Sequence, residues 1–212
     1  MRIALFSAAL MASGIAVGAT AIDGWYSSAF GGYTYMPDNI NVTHTGLTRN
    51  DATYDSGYHA GGRFGFKSNP MRYEGEITYI QADVRGFSIN NVKQVGIDGE
   101  THATLAMANV YYDFRDMVPA IQPFIGLGLG VAWVEGTLIS HGPFGYTRYS
   151  DSDGTFAYQG TAGLTYNFAE NYALNVGYRY VATTRLDNLG KVFQANLATV
   201  GVIYRFNEIA YK

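Results

Sequence analysis

Two carboxylates and an arginine stand at alternate positions of MRYEGEITYI, residues 71–80: Arg72, Glu74 and Glu76. Alternate residues of a β-strand point to the same face, so these three charges would lie together on one face of a strand. Paired carboxylates can carry out acid–base catalysis, and a charged interior can also conduct ions. The other face of the segment carries Met71, Tyr73, Ile77 and Tyr79. We therefore expect the charged face to be the interior one.

Other segments have basic residues at the alternate positions that we expect to face the interior. These residues are Arg63, Lys67, Arg179 and Arg205. Charges inside a protein are tolerated only when they are paired and hydrogen-bonded. Because both signs are present, the pattern predicts an interior ion-pair network rather than a catalytic dyad. Its members would be Arg63, Lys67, Arg72, Glu74, Glu76, Arg179 and Arg205.

Other catalytic or metal-binding sites find little support in the sequence. The four histidines are His44, His59, His102 and His141. Nucleophilic catalysis needs a nucleophile held beside its base, but no Ser follows His102, and Ser140-His141 falls in a polar segment predicted to be a loop. DSDG at 151–154 lacks the downstream Glu of a calcium loop, and the chain has no Cys. We predict no enzyme activity, no metal site and no cofactor.

Composition and the N-terminus indicate where the chain goes. A net charge of −3, with no Lys/Arg cluster, argues against nucleic acid as a partner. Residues 1–21 combine a basic Arg2, an apolar run and an A-x-A ending at Ala19 and Ala21, which predicts a secretory signal peptide cleaved after Ala21. The apolar run is shorter than the roughly 20 residues of a membrane-spanning helix.

Beyond residue 21, period-2 alternation recurs in eight segments, which predicts an all-β protein. The predicted strands are 24–35, 57–67, 71–85, 100–114, 122–135, 156–168, 172–184 and 194–206. Short connections (68–70, 115–121 and 169–171) alternate with long polar ones (36–56, 86–99, 136–155 and 185–193). Short turns on one rim and long loops on the other are typical of a transmembrane β-barrel with periplasmic turns and extracellular loops.

Aromatic residues concentrate near both ends of these segments, as expected where strands cross two membrane interfaces. In hydrocarbon every backbone group must be paired within the protein, so the sheet must close on itself. Eight strands leave an interior that side chains just fill. We therefore predict an eight-stranded antiparallel up-and-down barrel with a plugged lumen. Gly126, Gly128 and Gly130 would face that lumen and leave room for long side chains from across it.

Several motifs, taken in order, resemble those of the outer-membrane protein A and opacity-protein family of small eight-stranded barrels. They are GWYSSAFGGY (24–33), GGRFGFKSNPMRYEGEITY (61–79), MANVYYDF (107–114) and PFIGLGLGVAW (123–133). The resemblance covers residues 22–206 and includes the last strand, where Thr199, Gly201, Tyr204 and Phe206 match the family's export signature. It implies that the barrel assembly machinery binds this strand. Residues 207–212 would form a short periplasmic extension, and no peptidoglycan-binding domain is expected.

The resemblance implies a multi-pass protein of the Gram-negative outer membrane, with both termini periplasmic and with lipid and lipopolysaccharide around it. The filled lumen and long loops favour a non-enzymatic surface antigen, an adhesin that binds a host ligand through its loops, or an envelope-stabilising protein. The charged lumen leaves a narrow, porin-like pore as an alternative. A membrane-embedded lipid-modifying enzyme, which some barrels of this size are, is the less favoured alternative.

Overall fold

The computed structural model describes the backbone of residues 22–37, 43–45, 48–54, 56–89, 92–93, 97–114, 120–142, 145–184 and 192–206. Side chains are described for 22–37, 56–82, 101–114, 120–135, 154–184 and 192–206. The predicted signal peptide 1–21 and extension 207–212 lie outside these ranges. Within them, no helix is long and apolar enough to cross a membrane.

Eight long strands form the body of the protein. They are β1 (Gly24–Tyr35), β2 (Gly57–Ser68), β3 (Met71–Ile89), β4 (Ile97–Asp113), β5 (Ile121–Gly142), β6 (Gly145–Asn167), β7 (Tyr172–Thr183) and β8 (Gln194–Arg205). Three short strands, Thr43–Thr45, Thr48–Tyr54 and Val92–Lys93, extend the sheet beside the far end of β3.

The sheet closes on itself. Each long strand pairs antiparallel with the next along the chain. The last strand then pairs with the first, with Phe30 opposite Gly201. Closure leaves no unpaired edge along the barrel, which is the condition that hydrocarbon imposes on a sheet. The predicted eight-stranded antiparallel barrel is confirmed.

Burial alternates along every strand because the pleat sends successive side chains inward and outward. Leu127 is 70% exposed on the outer face of β5, whereas its neighbour Gly128 faces the lumen. The interior of the protein is therefore the barrel lumen. One rim, here called the turn end, carries the connections 69–70, 114–120 and 168–171 together with the start of β1 and the end of β8. The opposite rim is called the loop end.

The prediction that 136–155 is a loop is wrong. β5 and β6 continue as one regular hairpin, from Ile121 opposite Tyr166 to Gly142 opposite Gly145. The segments TLIS and YTRYS are rich in β-branched and aromatic residues, which suit paired strands. Each arm is roughly 75 Å long at about 3.4 Å per residue, so the hairpin projects far past an apolar band of about 25 Å. Segment 36–56 likewise contains two short strands.

Candidate functional site

Glu76 is the centre of the charged cluster in the lumen. Its Oε2 accepts a hydrogen bond from Arg63 Nε at 2.7 Å, and its Oε1 is paired with Arg179 Nη1. Thr78 Oγ1 also donates to Oε1, at 2.7 Å. All four side chains are buried. Since the carboxylate is saturated by donors, it lies in an ion-paired state that suits structure rather than proton transfer.

Both arginines also lie against an aromatic ring. The guanidinium carbons of Arg63 and Arg179 are 4.1 and 4.7 Å from the centroid of Phe30 on β1. The ring fits because two glycines flank it: a Cβ on Gly61 would lie 2.5 Å from Phe30 Cζ, and one on Gly201 would lie 2.9 Å from Phe30 Cβ. The glycine of the predicted export signature therefore has a packing role in the lumen.

A second charged layer lies nearer the turn end. Arg72 Nε donates to Asp113 Oδ1 at 2.9 Å, and Arg72 Nη1 pairs with Glu74 Oε1 at 3.2 Å. Lys67 Nζ is 3.2 Å from Asp113 Oδ2. Arg63 Nε links the layers through Glu74 Oε2 at 3.6 Å. The ion pairs thus run unbroken from Lys67 through both layers to Glu76.

The structure joins six of the seven predicted network residues and leaves Arg205 apart. In the described part of the chain, Arg205 donates to neutral oxygens: Nη2 to Asn167 Oδ1 at 2.6 Å and Nη1 to the carbonyl of Glu170 at 3.3 Å. Asp113, which the sequence analysis missed, is the acid that joins Lys67 to Arg72. In MANVYYDF, Asp113 alternates in step with Asn109 and Tyr111, which face the lumen. This alternation is the sequence signal that could have identified Asp113 as a lumen residue.

The glycines of β5 make room for neighbouring strands rather than for side chains from across the lumen. A Cβ on Gly126 would lie 2.1 Å from the Tyr111 ring, and one on Gly128 would lie 1.9 Å from Asn109 Oδ1, both on the adjacent β4. Asn109 in turn accepts a hydrogen bond from Gln159 Nε2 of β6 at 2.6 Å. The prediction that these glycines make room for side chains from across the lumen is therefore wrong. They make room for side chains of the adjacent strand.

Toward the loop end the lumen changes from charged to apolar. The buried apolar residues, here called the apolar layer, are Met36, Ile80, Ala82, Ala103, Leu105, Met107, Ala132, Val134, Ala157, Val181, Phe193, Ala195 and Leu197. His59 lies at the boundary, with Nδ1 3.1 Å from Thr34 Oγ1 and Nε2 2.9 Å from Thr199 Oγ1. Buried threonines, Thr34, Thr78, Thr101 and Thr183, pair with members of this layer, so an ion crossing it would meet neutral side chains only, which is unfavourable.

The outer face carries a band of touching aromatic rings around the turn end. The centroids of successive rings in this band lie 5.1–6.5 Å apart. The rings, in order of contact, are those of Trp25, Phe64, Phe206, Tyr204, Tyr172, Phe168 and Tyr166. Phe206 links the last strand to the first within this band, since its backbone N–H donates to the Trp25 carbonyl at 2.9 Å. Of the predicted signature residues, Tyr204 and Phe206 face outward while Thr199 and Gly201 face the lumen.

The histidines do not assemble a catalytic centre in the described part of the chain. His59 is buried at the boundary of the apolar layer, and His102 stacks on Tyr79 on the outer face, with Tyr79 OH 2.8 Å from its Nδ1. The side chains of His44 and His141 lie outside the described residues. Among described side chains, no group of three His, Asp or Glu could hold a metal ion.

Comparison with known proteins bears on the whole barrel. A family model described as the outer membrane protein beta-barrel domain matches residues 6–206. A protein named outer membrane protein from Gluconacetobacter diazotrophicus is 29% identical over 197 residues, covering 85% of this chain and 52% of that one. Outer membrane protein PagN of Salmonella typhimurium is 28% identical over 133 residues, covering 58% of this chain and 52% of that one. The chain thus spans about half the length of these curated relatives.

Solved structures share the fold at low identity. Neisserial surface protein A superposes with a TM-score of 0.57 at 17% identity, covering 86% of this chain and 97% of that one. OprG of Pseudomonas aeruginosa gives 0.52 at 15%, covering 91% and 100%. Ail, the attachment invasion locus protein of Yersinia pestis, in complex with the heparin analogue sucrose octasulfate, gives 0.50 at 20%, covering 87% and 100%.

Proposed function

The chain belongs to the outer membrane protein β-barrel domain family and is a protein of the Gram-negative outer membrane; from this premise we propose that it is a non-enzymatic surface protein of the adhesin type. The barrel anchors it in the membrane, and the segments at the loop end bind a partner on another cell. The turn end faces the periplasm, so both ends of the described barrel lie there.

One observation carries the proposal: the apolar layer fills the lumen between the charged cluster and the loop end. Ile80, Leu105 and Leu197 within it are at most 1% exposed. This packing of the described residues supports a barrel without a water-filled route for solutes. Chemistry directed at a partner is then left to the surfaces outside the membrane, where function on rigid scaffolds usually lies.

The hairpin of β5 and β6 is the largest element available for such contact. Its arms pair in register up to Gly142 and Gly145, well beyond the length needed to cross the membrane. A paired hairpin presents side chains at fixed spacing, so less conformational entropy is lost on binding than from a flexible loop. This supports recognition by a preorganised surface.

The composition of the loop-end segments indicates the kind of partner. Segments 36–56, 86–99, 136–155 and 185–193 together contain five Lys or Arg and seven Asp or Glu. An excess of acidic over basic residues in these segments does not favour a polyanion as the partner. The segments are rich in Tyr, Asn, Ser, Thr and Gly, the residues that protein-binding loops favour. We therefore propose a protein surface as the partner.

Shortening the hairpin tests the proposal. Gly136 pairs with Asp151, so replacing 137–150 by Asn-Gly closes the hairpin in register while the barrel stays intact. A matched control keeps the full length and alternation of 137–150 but permutes residues within each face. Both variants, displayed on a non-adherent Gram-negative host, should bind cultured cells far less than the wild type. Heat-modifiable gel mobility verifies that each barrel has folded.

Two results would contradict the proposal. Unchanged adhesion of the shortened and the permuted variants would exclude this hairpin as the binding surface. Discrete conductance steps from the wild type in planar bilayers would show that the apolar layer does not close the lumen, and would favour a narrow pore instead.

A further inference from the structure

The described lumen contains more positive than negative charge. Its charged side chains are Arg63, Lys67, Arg72, Arg179 and Arg205 on one side and Glu74, Glu76 and Asp113 on the other. In the layer around Glu76, that carboxylate faces Arg63 and Arg179. The turn-end layer contains Lys67, Arg72 and Arg205 against Glu74 and Asp113, so it carries a surplus of one positive charge. A buried charge without a counter-charge is strongly unfavourable.

The geometry at the turn end leaves room beside those bases. A hollow of about 10 Å³ lies between β1, β2, β3, β4, β6 and β8, and it is lined by Tyr26, Lys67, Arg72, Asp113, Thr165, Ile203 and Arg205. This volume holds one particle about the size of a water molecule. A tetrahedral oxyanion such as sulfate would be too large for it.

Two hydrogen-bond donors of residues that line the hollow have no protein acceptor among the described residues. Arg72 Nη2 and Thr165 Oγ1 are buried and unpartnered, and both side chains are 4% exposed. Arg205 uses its contacts on an amide oxygen and a carbonyl oxygen, neither of which carries a charge. The hollow is therefore bordered by hydrogen-bond donors without acceptors and by positive charge without a counter-charge. Both features suit the binding of an anion.

Two further acids among the described residues of the turn end do not provide the missing charge. Asp23 is exposed, and its carboxylate accepts hydrogen bonds from Asn69 N at 3.3 Å and Nδ2 at 2.5 Å. Glu170 is exposed and contacts Arg205 through its backbone carbonyl. Solvent screens both carboxylates, so neither replaces a counter-charge inside the hollow.

We propose that this hollow is a binding site for one halide-sized inorganic anion, chloride in a natural setting, that neutralises the surplus charge of Lys67, Arg72 and Arg205. Thr165 donates its hydroxyl to the same ion. The bound anion stabilises the turn end of the lumen and is released when the barrel unfolds.

The site is tested by measuring how the stability of the folded protein depends on chloride concentration. The refolded protein is unfolded by urea in detergent micelles at fixed ionic strength, with chloride replaced by gluconate, which is too large for the hollow. In the wild type the unfolding equilibrium constant should fall about tenfold for each tenfold rise in chloride above the dissociation constant. Arg205→Gln should abolish that dependence, whereas Lys93→Gln, which removes a positive charge at the loop end, should keep it.

A second measurement does not depend on unfolding. Chloride-35 NMR should show excess line broadening with the folded wild type, which bromide reverses and which Arg205→Gln lacks. Thr165→Val retains every charge and should weaken chloride binding several-fold, so it remains decisive if Arg205→Gln does not fold. The proposal is overturned if chloride and gluconate give the wild type the same stability, or if Thr165→Val binds chloride as the wild type does.

Discussion

Glu76→Gln should destabilise the barrel by roughly 3–5 kcal/mol, the range for removing one partner of a buried ion pair. Glu76 is 4% exposed and accepts from Arg63 at 2.7 Å and from Arg179. A glutamine keeps the size of the side chain but offers one acceptor oxygen, and its NH₂ group would face a guanidinium that has only donors. One buried arginine is then left without an acceptor.

The same geometry predicts whether a second substitution, Arg179→Met, raises or lowers the stability of the barrel. Arg179 Nη1 pairs with Glu76, whereas Arg179 Nε and Nη2 have no partner in the described residues. Arg179→Met in the wild type removes a poorly satisfied guanidinium and leaves Glu76 with Arg63 and Thr78, so its effect should be small. In the Glu76→Gln background it removes the orphaned charge and should restore about 1–3 kcal/mol.

The assay is urea unfolding of the four proteins of this double-mutant cycle, refolded in the same micelles and followed by tryptophan fluorescence. The slope of the free energy against urea should stay constant, so that midpoint shifts report stability. Glu170→Gln, the same chemical change at an exposed position of the turn end, is the matched control and should stay near the wild type. Heat-modifiable gel mobility gives an independent measure.

The reasoning is refuted if Glu76→Gln is as stable as Glu170→Gln, because the carboxylate would then not be the buried acceptor of two arginines. It is also refuted if Arg179→Met destabilises the Glu76→Gln protein as much as the wild type. If the effects of the two substitutions were simply additive, Glu76 and Arg179 would not form an ion pair.

The outer face and the apolar layer yield further predictions. Phe206→Ala should slow assembly and lower the yield of heat-modifiable barrel far more than deletion of 207–212, because Phe206 packs against aromatic rings of β2 and β8. Equal defects in a pulse-chase assembly assay would place the signal elsewhere. Leu197→Ala in the lumen should cost about 2–5 kcal/mol in urea unfolding. Leu127→Ala on the lipid face should cost less, since lipid chains close around the smaller side chain and leave no cavity; equal losses would show that the lumen relaxes around the gap.

Local patterning was sufficient for the barrel and for the direction of most side chains. The alternation in MRYEGEITYI directs Glu74 and Glu76 inward and Tyr73 outward, as the structure shows. The hairpin at 136–155 escaped prediction because its polar and apolar residues do not alternate and because Gly, Ser and Asp are frequent there. Whether such a stretch is a loop or a strand depends on its pairing partner, which is a tertiary property.

The sequence by itself determined which residues face the lumen and which face lipid, because the pleat of a strand is a local property with a period of two. Only the tertiary structure decided which inward charges meet. Arg179 and Glu76 are 103 residues apart, and Arg72 and Asp113 are 41 apart. Closure of β8 on β1 and the stagger of each strand pair bring the two members of each ion pair to the same height in the barrel. The same stagger leaves Arg205 beside neutral oxygens at the turn end, a consequence of register that alternation alone does not contain.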